Sequence, residues 1–404
     1  MRRFPLKIKI LLPTLLVLLF FVPAHANEIA LQDQLLDHPS FGLVNIKVPT
    51  GYQLELLPAE LNYPRMIEFA PNGDMYIGSG QHVYKLNPPY INAMTFLWLP
   101  SYPHSIAIRD DELFVATTPQ LLKLPYVSDA EQANVDSIEV VTPLPGGAGH
   151  ASRTVRVGPD GALYVSVGIS GNCSDQLISN DYPFRHRRGG MFRINESGTV
   201  AFLEPFASGL RNPVDFDWHP TSDVMYAANN GPDHHGFELP PEYFSKITPG
   251  SFHGMPWFQF DGKHLNRDDC IDSDPPLSKD VVEIPVATFP ARNAPLGMTF
   301  VPEGALDKRF VNSAVVALHG SWGTQPDGGF SGPPESRRPP AVVLVRFDGE
   351  EAVGVEPVVT GFQDEAGSRW ARPAGVAVGP DGWLYITSDG GLFEGLMRLR
   401  PQGS

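Results

Sequence analysis

The chain has 404 residues, a formal net charge of −15, and 19% charged residues beside 39 Gly and 41 Pro. That balance excludes nucleic-acid binding, which rests on clustered Lys and Arg neutralising phosphates. So much Pro and Gly favours short strands and turns over long helices, making all-β the expected class.

In chain order, residues 1–26 read as a secretory signal peptide. Arg2, Arg3, Lys7 and Lys9 precede an apolar run from Ile10 to Val22, and Ala24-His25-Ala26 offers small residues for cleavage. Pro13 and Pro23 interrupt a run too short for a membrane span, so no stable span is expected in the mature protein. Residues 27–404 are then expected to work in the periplasm or as a secreted protein. The 2 cysteines, Cys173 and Cys270, are free to pair in that oxidising setting, although the sequence leaves the pairing open. Nothing matches a zinc-ligand spacing or a covalent haem site, so any redox cofactor must be held non-covalently.

From Ile67 onward one pattern recurs: an alternating apolar run, a Pro/Asp/Gly turn, and a second alternating run rich in aromatic and β-branched residues. Copies start at Ile67, Ile106, Val155, Phe216, Met298 and Val376. Each reads as a hairpin, because the turn residues reverse the chain and period-two alternation buries one face. Six copies at propeller-like spacing predict a single six-bladed β-propeller over 27–404. The strand-like run Tyr52 to Leu56 is free to join the last blade and close the ring. Separate β-sandwich domains are the alternative, but no Pro/Ser/Gly linker divides the chain. Irregular stretches are expected at Gly146–Arg153, Ser170–Gly190, Asn229–Leu265 and Gly323–Pro340, the last resembling a flap.

The candidate chemistry lies at the entrances of successive repeats. His150, in a Gly-rich loop before the third repeat, suits a general base with a near-neutral pKa. Arg211 and Asn212 occupy the equivalent place before the fourth repeat, and equivalent positions on successive blades converge on one axis. A base, a cation and an amide around one channel can remove a proton and stabilise developing negative charge. Trp257, Phe258 and Trp322 are candidates for stacking on a sugar, though aromatics more often pack in cores.

The ordered set Gly149-His-x-x-Arg153-Thr, Gly209-Leu-Arg-Asn-Pro213, Asn229-Asn-Gly-Pro-Asp-His234, Leu239-Pro-Pro241, His319-Gly-Ser-Trp322 and Arg372-Pro resembles the soluble sugar dehydrogenases that depend on pyrroloquinoline quinone (PQQ). The sorbosone dehydrogenase branch is the most similar. The resemblance implies oxidation of an aldose or sugar aldehyde at C1, with hydride passing to C5 of PQQ and an electron acceptor of unknown identity. His150 matches the base and Arg211 the arginine at the C5 carbonyl. Asn212 and Arg372 match cofactor contacts. Gly231 and Pro232 match the turn whose carbonyls hold calcium, with Glu242 as a carboxylate candidate. Three departures stand out: Glu242-Tyr243 replaces an Asp-Glu pair, His253 lies in an altered turn, and Ala374 stands where glucose-oxidising relatives have a second arginine. A calcium-dependent sugar lactonase and a non-catalytic binding propeller are the alternatives.

Overall fold

Each turn-centred repeat folds as the first hairpin of a four-stranded antiparallel sheet, for the pairing Ile67↔Ile77 recurs as Ile106↔Val115, Val155↔Val165 and Val376↔Ile386. The computed structural model describes residues 28–403, so the expected signal peptide lies outside the described residues. Six such sheets form the blades of a β-propeller. Blade 1 runs from Ile67–Phe69 to Met94–Trp98, blade 2 from Pro103–Arg109 to Glu139–Pro143, and blade 3 from Val155–Val157 to Phe202–Ser208. Blade 4 runs from Asn212–Trp218 to Ala287–Phe289, blade 5 from Pro295–Phe300 to Glu351–Val359, and blade 6 from Pro373–Val378 to Glu394–Pro401.

The outer strand of blade 6 is the N-terminal strand Tyr52–Leu57, paired antiparallel with Glu394–Pro401 from Leu57↔Leu396 to Tyr52↔Pro401. The ring therefore closes as the sequence suggested, leaving no end blade with an open flank. A hairpin absent from the sequence reading, Leu31–His38 with Gly42–Pro49, lies across blades 5 and 6. It buries Ile46 and Val48 and exchanges hydrogen bonds between Gln34 and Leu54.

The core is a ring of sheet-on-sheet contacts. Phe114 and Ala116 of blade 2 meet Val155 and Val165 of blade 3, while Tyr226 and Phe244 of blade 4 meet Phe300 and Val316 of blade 5. At the centre, Met66, Val214, Leu296 and Ala374 from blades 1, 4, 5 and 6 form one apolar cluster that narrows the channel. Below it the inner strands carry Arg156, which grips Asp215 at 2.9 and 3.0 Å, beside Glu68 and Asp217.

One loop expectation needs correction. Asn229–Leu265 holds the third strand of blade 4, Glu242–Ile247, and a small hairpin of Phe258–Phe260 with Leu265–Arg267. The run after Pro241 is buried on both faces and so lacks the period-two alternation that marks a half-buried strand, and the prolines and glycines around it obscured it further. Cys173 and Cys270 form a disulfide with Cα atoms 5.8 Å apart. Among the described residues, no helix is long and apolar enough to cross a membrane.

Candidate active site around His150 and Arg211

The Gly-rich loop before blade 3 is shaped by backbone needs. Gly149 sits at φ 88, and a Cβ there would meet the Ser170 carbonyl at 2.0 Å, so only glycine lets the chain pass. Two buried arginines then hold the loop. Arg153 donates to the carbonyls of Pro145, His150 and Ser152, and Arg188 to those of Gly146, Ala148, His150 and Gly168.

His150 emerges from this frame half-buried. Its Nδ1 lies 2.6 Å from the Ile169 carbonyl, an acceptor only, which assigns the proton to Nδ1 and leaves Nε2 as the basic lone pair. Nε2 has no hydrogen-bond partner among the described residues. Burial, reinforced by the Arg211 charge and opposed by the Ile169 bond, pushes the imidazole pKa down to about 3. The expectation of a near-neutral pKa is thereby corrected: the loop is less exposed than its glycines suggested, and desolvation disfavours the charged form.

Ile169 links this base to the next blade, since its N–H donates to the Arg211 carbonyl at 2.8 Å. Arg211 is 7% exposed. Its Nε donates to the Asn172 carbonyl at 3.1 Å, and one terminal nitrogen reaches Asn172 Oδ1 at 3.0 Å and Asp233 Oδ2 at 3.3 Å. Burial draws its pKa down from the usual value while Asp233 and Glu242 oppose that shift, and a guanidinium so placed stays charged. Asn212 is held by N–H donation to Asn229 Oδ1, yet its own buried Oδ1 has no partner. His150 and Asn212 meet over Gly168, where an added Cβ would lie 2.7 Å from His150 Cβ and 2.4 Å from Asn212 Oδ1. Base, cation and amide are therefore brought together.

Arg372 approaches from blade 6, its Nε and one terminal nitrogen donating at 3.1 Å to the carbonyls of His319 and Gly320. Its other terminal nitrogen has no partner among the described residues. Three features went unseen in the sequence. Arg65 pairs with Asp389, which also binds His319; burial works to raise the Asp389 pKa, but Arg65 and His319 hold it below the usual carboxylate range. Arg292, 6% exposed at φ 69, grips Asp233 and the Gly236 carbonyl. Tyr102 and His104 stand at the entrance of blade 2 with their rings in contact. Arg65 and His104 each follow a proline where an inner strand begins, Arg65 two residues before Ile67 and His104 as the second residue of Pro103–Arg109, and that recurrence was the available signal.

The turn Gly231–Pro232 is buried, and neither carbonyl accepts a hydrogen bond among the described residues. Glu242 faces it, accepting the Gly231 N–H, while burial lifts its carboxyl to about 7 against the opposing effects of that bond and of Arg211. Tyr243, on the other side of the strand, points away and bonds Gln259 and the Phe260 carbonyl. Two free carbonyls and a buried carboxylate are oxygen ligands that fit calcium, whose charge would offset the burial of Glu242. The arginines and the unpaired amide oxygen fit an anionic, carbonyl-bearing quinone. Ala374 lies in the apolar channel cluster and supplies no cation there. His253 is buried and bonds Ser251, and burial lowers its pKa to about 4. Trp257 and Phe258 are core residues, whereas Trp322 is 45% exposed against Phe330.

The TrAA12-like family model matches residues 46–239 and 262–393. The chain belongs to that family. The unmatched stretch between those segments holds Glu242, Tyr243 and His253, two of the three departures named above, while Ala374 lies within the matched residues. An uncharacterized protein of Borreliella burgdorferi is 25% identical over 364 residues, spanning 86% of this chain and 89% of that protein. Two solved structures share the fold. The calcium structure of a Trichoderma reesei carbohydrate-active enzyme of family AA12 superposes with a TM-score of 0.70 at 17% identity, covering 88% of this chain and 96% of its own. The holo form of the pyranose dehydrogenase PQQ domain from Coprinopsis cinerea gives 0.66 at 17%, covering 88% and 97%.

Proposed function

We propose that this propeller is an exported quinoprotein that oxidises an aldose or a sorbosone-like sugar aldehyde at C1. The observation that carries this reading is the meeting of His150, with its free Nε2, and Asn212, with its unpaired Oδ1, over Gly168 beside the buried Arg211. PQQ, bound against Arg211 and Asn212, supplies the hydride acceptor. His150 Nε2 takes the proton of the C1 hydroxyl, that of a cyclic aldose or of a hydrated aldehyde, as the hydride leaves. Arg211, held by Asn172 and Asp233, stands ready where negative charge develops and needs no rearrangement to act. Arg372, with one terminal nitrogen to spare, would pair with a carboxylate of the cofactor, and Gly231, Pro232 and Glu242 would hold calcium. The disulfide suits an oxidising compartment outside the cytoplasm.

The test is dye-linked dehydrogenase activity against a panel of aldoses and sorbosone, with and without PQQ and calcium, beside His150→Ala. Quinone-dependent turnover falling 10²-fold or more (roughly, for a lost general base) in the variant is the expected result. Neither turnover nor quinone binding would overturn the reading and turn attention to a lactonase or a binding propeller.

A further inference from the structure

A second constellation stands behind the site. His234 Nε2 lies 2.8 Å from Asp268 Oδ1 and 3.8 Å from Asp269 Oδ1, and His235 Nε2 lies 3.2 Å from Asp268 Oδ2. Neighbouring residues of an extended chain point to opposite sides. Here the turn brings both imidazoles to one side, with centroids 3.8 Å apart. The Asp268 side chain is fully buried, and its described partners are these two rings and the Cys270 N–H, with no Lys or Arg among them. An uncompensated buried carboxylate is costly.

All four ligand atoms lie within 4.8 Å of one another. A tetrahedral first-row ion with bonds of about 2.0–2.1 Å spaces its ligands roughly 3.3–3.4 Å apart. The observed separations bracket that value. Two imidazoles with carboxylates select a borderline ion such as zinc over calcium, which takes oxygen ligands.

We propose that His234, His235, Asp268 and Asp269 form a site for a divalent transition-metal ion of the zinc class, distinct from the oxygen-lined turn at Gly231 and Glu242. The ion replaces the two imidazole protons that Asp268 accepts and supplies the missing positive charge. It also ties the turn carrying Asp233 to the loop that ends in the Cys173–Cys270 bridge. Because Asp233 holds both Arg211 and Arg292, occupancy fixes the cation set from behind. His234 and His235 act here as ligands and positioning residues and make no contact with substrate.

The test uses untagged mature protein, stripped with a chelator, without quinone or sugar. Calorimetric titration with zinc chloride is expected to show one equivalent bound, with calcium chloride failing to compete. His234→Ala and His235→Ala each should weaken zinc at least about tenfold. His235 is a partly exposed side chain, so its loss removes little packing, and circular dichroism of both variants checks the fold. X-ray absorption at the zinc edge should report two nitrogen ligands. No zinc binding, or binding unchanged in both folded variants, would overturn the proposal. This readout needs no turnover, so its failure and that of the oxidoreductase reading are separable.

Discussion

His150 shows how one hydrogen bond decides a reaction role. The Ile169 carbonyl fixes the proton on Nδ1, and burial beside Arg211 keeps the ring neutral down to about pH 3. Since the neutral form is the base and predominates above that pKa, kcat/KM for a sugar should stay flat from about pH 8 to about pH 5. An ordinary histidine would halve it near pH 6.5. A pH–rate profile on a folded, quinone-loaded sample checks this, and a break at 6.5 would show that burial does not hold the ring neutral in the working enzyme. Gly168 offers a complementary probe. Gly168→Ala puts a methyl into contact with Asn212 Oδ1 and His150 Cβ at once, so kcat should fall at least tenfold while overpacking costs only about 1–3 kcal/mol of stability. Steady-state kinetics beside urea unfolding separate the two effects. His150, Arg211 and Asn212 were legible because each opens a repeat at the same place. Arg188 and Arg292 were not, because their work is to bind carbonyls and carboxylates from distant parts of the chain, and those pairings leave no trace in local spacing.

At the level of elements, the loop before blade 4 depends on a staple between two blades, Cys173 from a loop within blade 3 and Cys270 from a loop within blade 4. Cys173–Cys270 spans 97 residues of sequence and anchors Asn172, whose carbonyl and side chain both hold Arg211. Replacing both cysteines by serine should cost about 2–5 kcal/mol, as loss of a long-loop bridge does. It should also lower kcat more than it raises KM, because Arg211 loses its support while sugar contacts stay. Chemical denaturation and kinetics of the double variant measure both, and an unchanged kcat would show that Asn172 is held without the bridge. Turns rich in Pro, Asp, Asn and Gly between alternating runs announced the six inner hairpins, whereas Glu242–Ile247 was hidden among prolines and glycines. The hairpin Leu31–His38 with Gly42–Pro49 was hidden for another reason: its exposed faces, with Leu35 and Leu43 facing solvent, blur the period-two signal.

For the whole molecule, closure of the ring is the decisive interaction, and it joins the two ends of the chain. Tyr52–Leu57 contributes buried Leu54 and Leu57, and its Glu55 takes ion pairs from Arg398 and Arg400 on the partner strand. Without it, blade 6 would present the unpaired edge of Glu394–Pro401 and an uncovered apolar face, which together template aggregation. A chain begun at Ala59 should therefore accumulate as insoluble protein. Chain length is not the reason, and a permuted protein can show this. Tyr52 pairs with Pro401, and the Gln402 N–H reaches the Gly51 carbonyl at 2.9 Å, so the two strands already meet as if at a hairpin turn. Starting the chain at Ala59 and appending residues 51–58 after Gln402 should give a soluble, cooperatively melting protein, although it lacks the hairpin of residues 31–49. Size-exclusion chromatography and thermal melts of the two proteins decide the matter. If the truncated chain were soluble and the permuted one no more stable, the N-terminal strand would be a decoration on a ring that closes by blade packing alone.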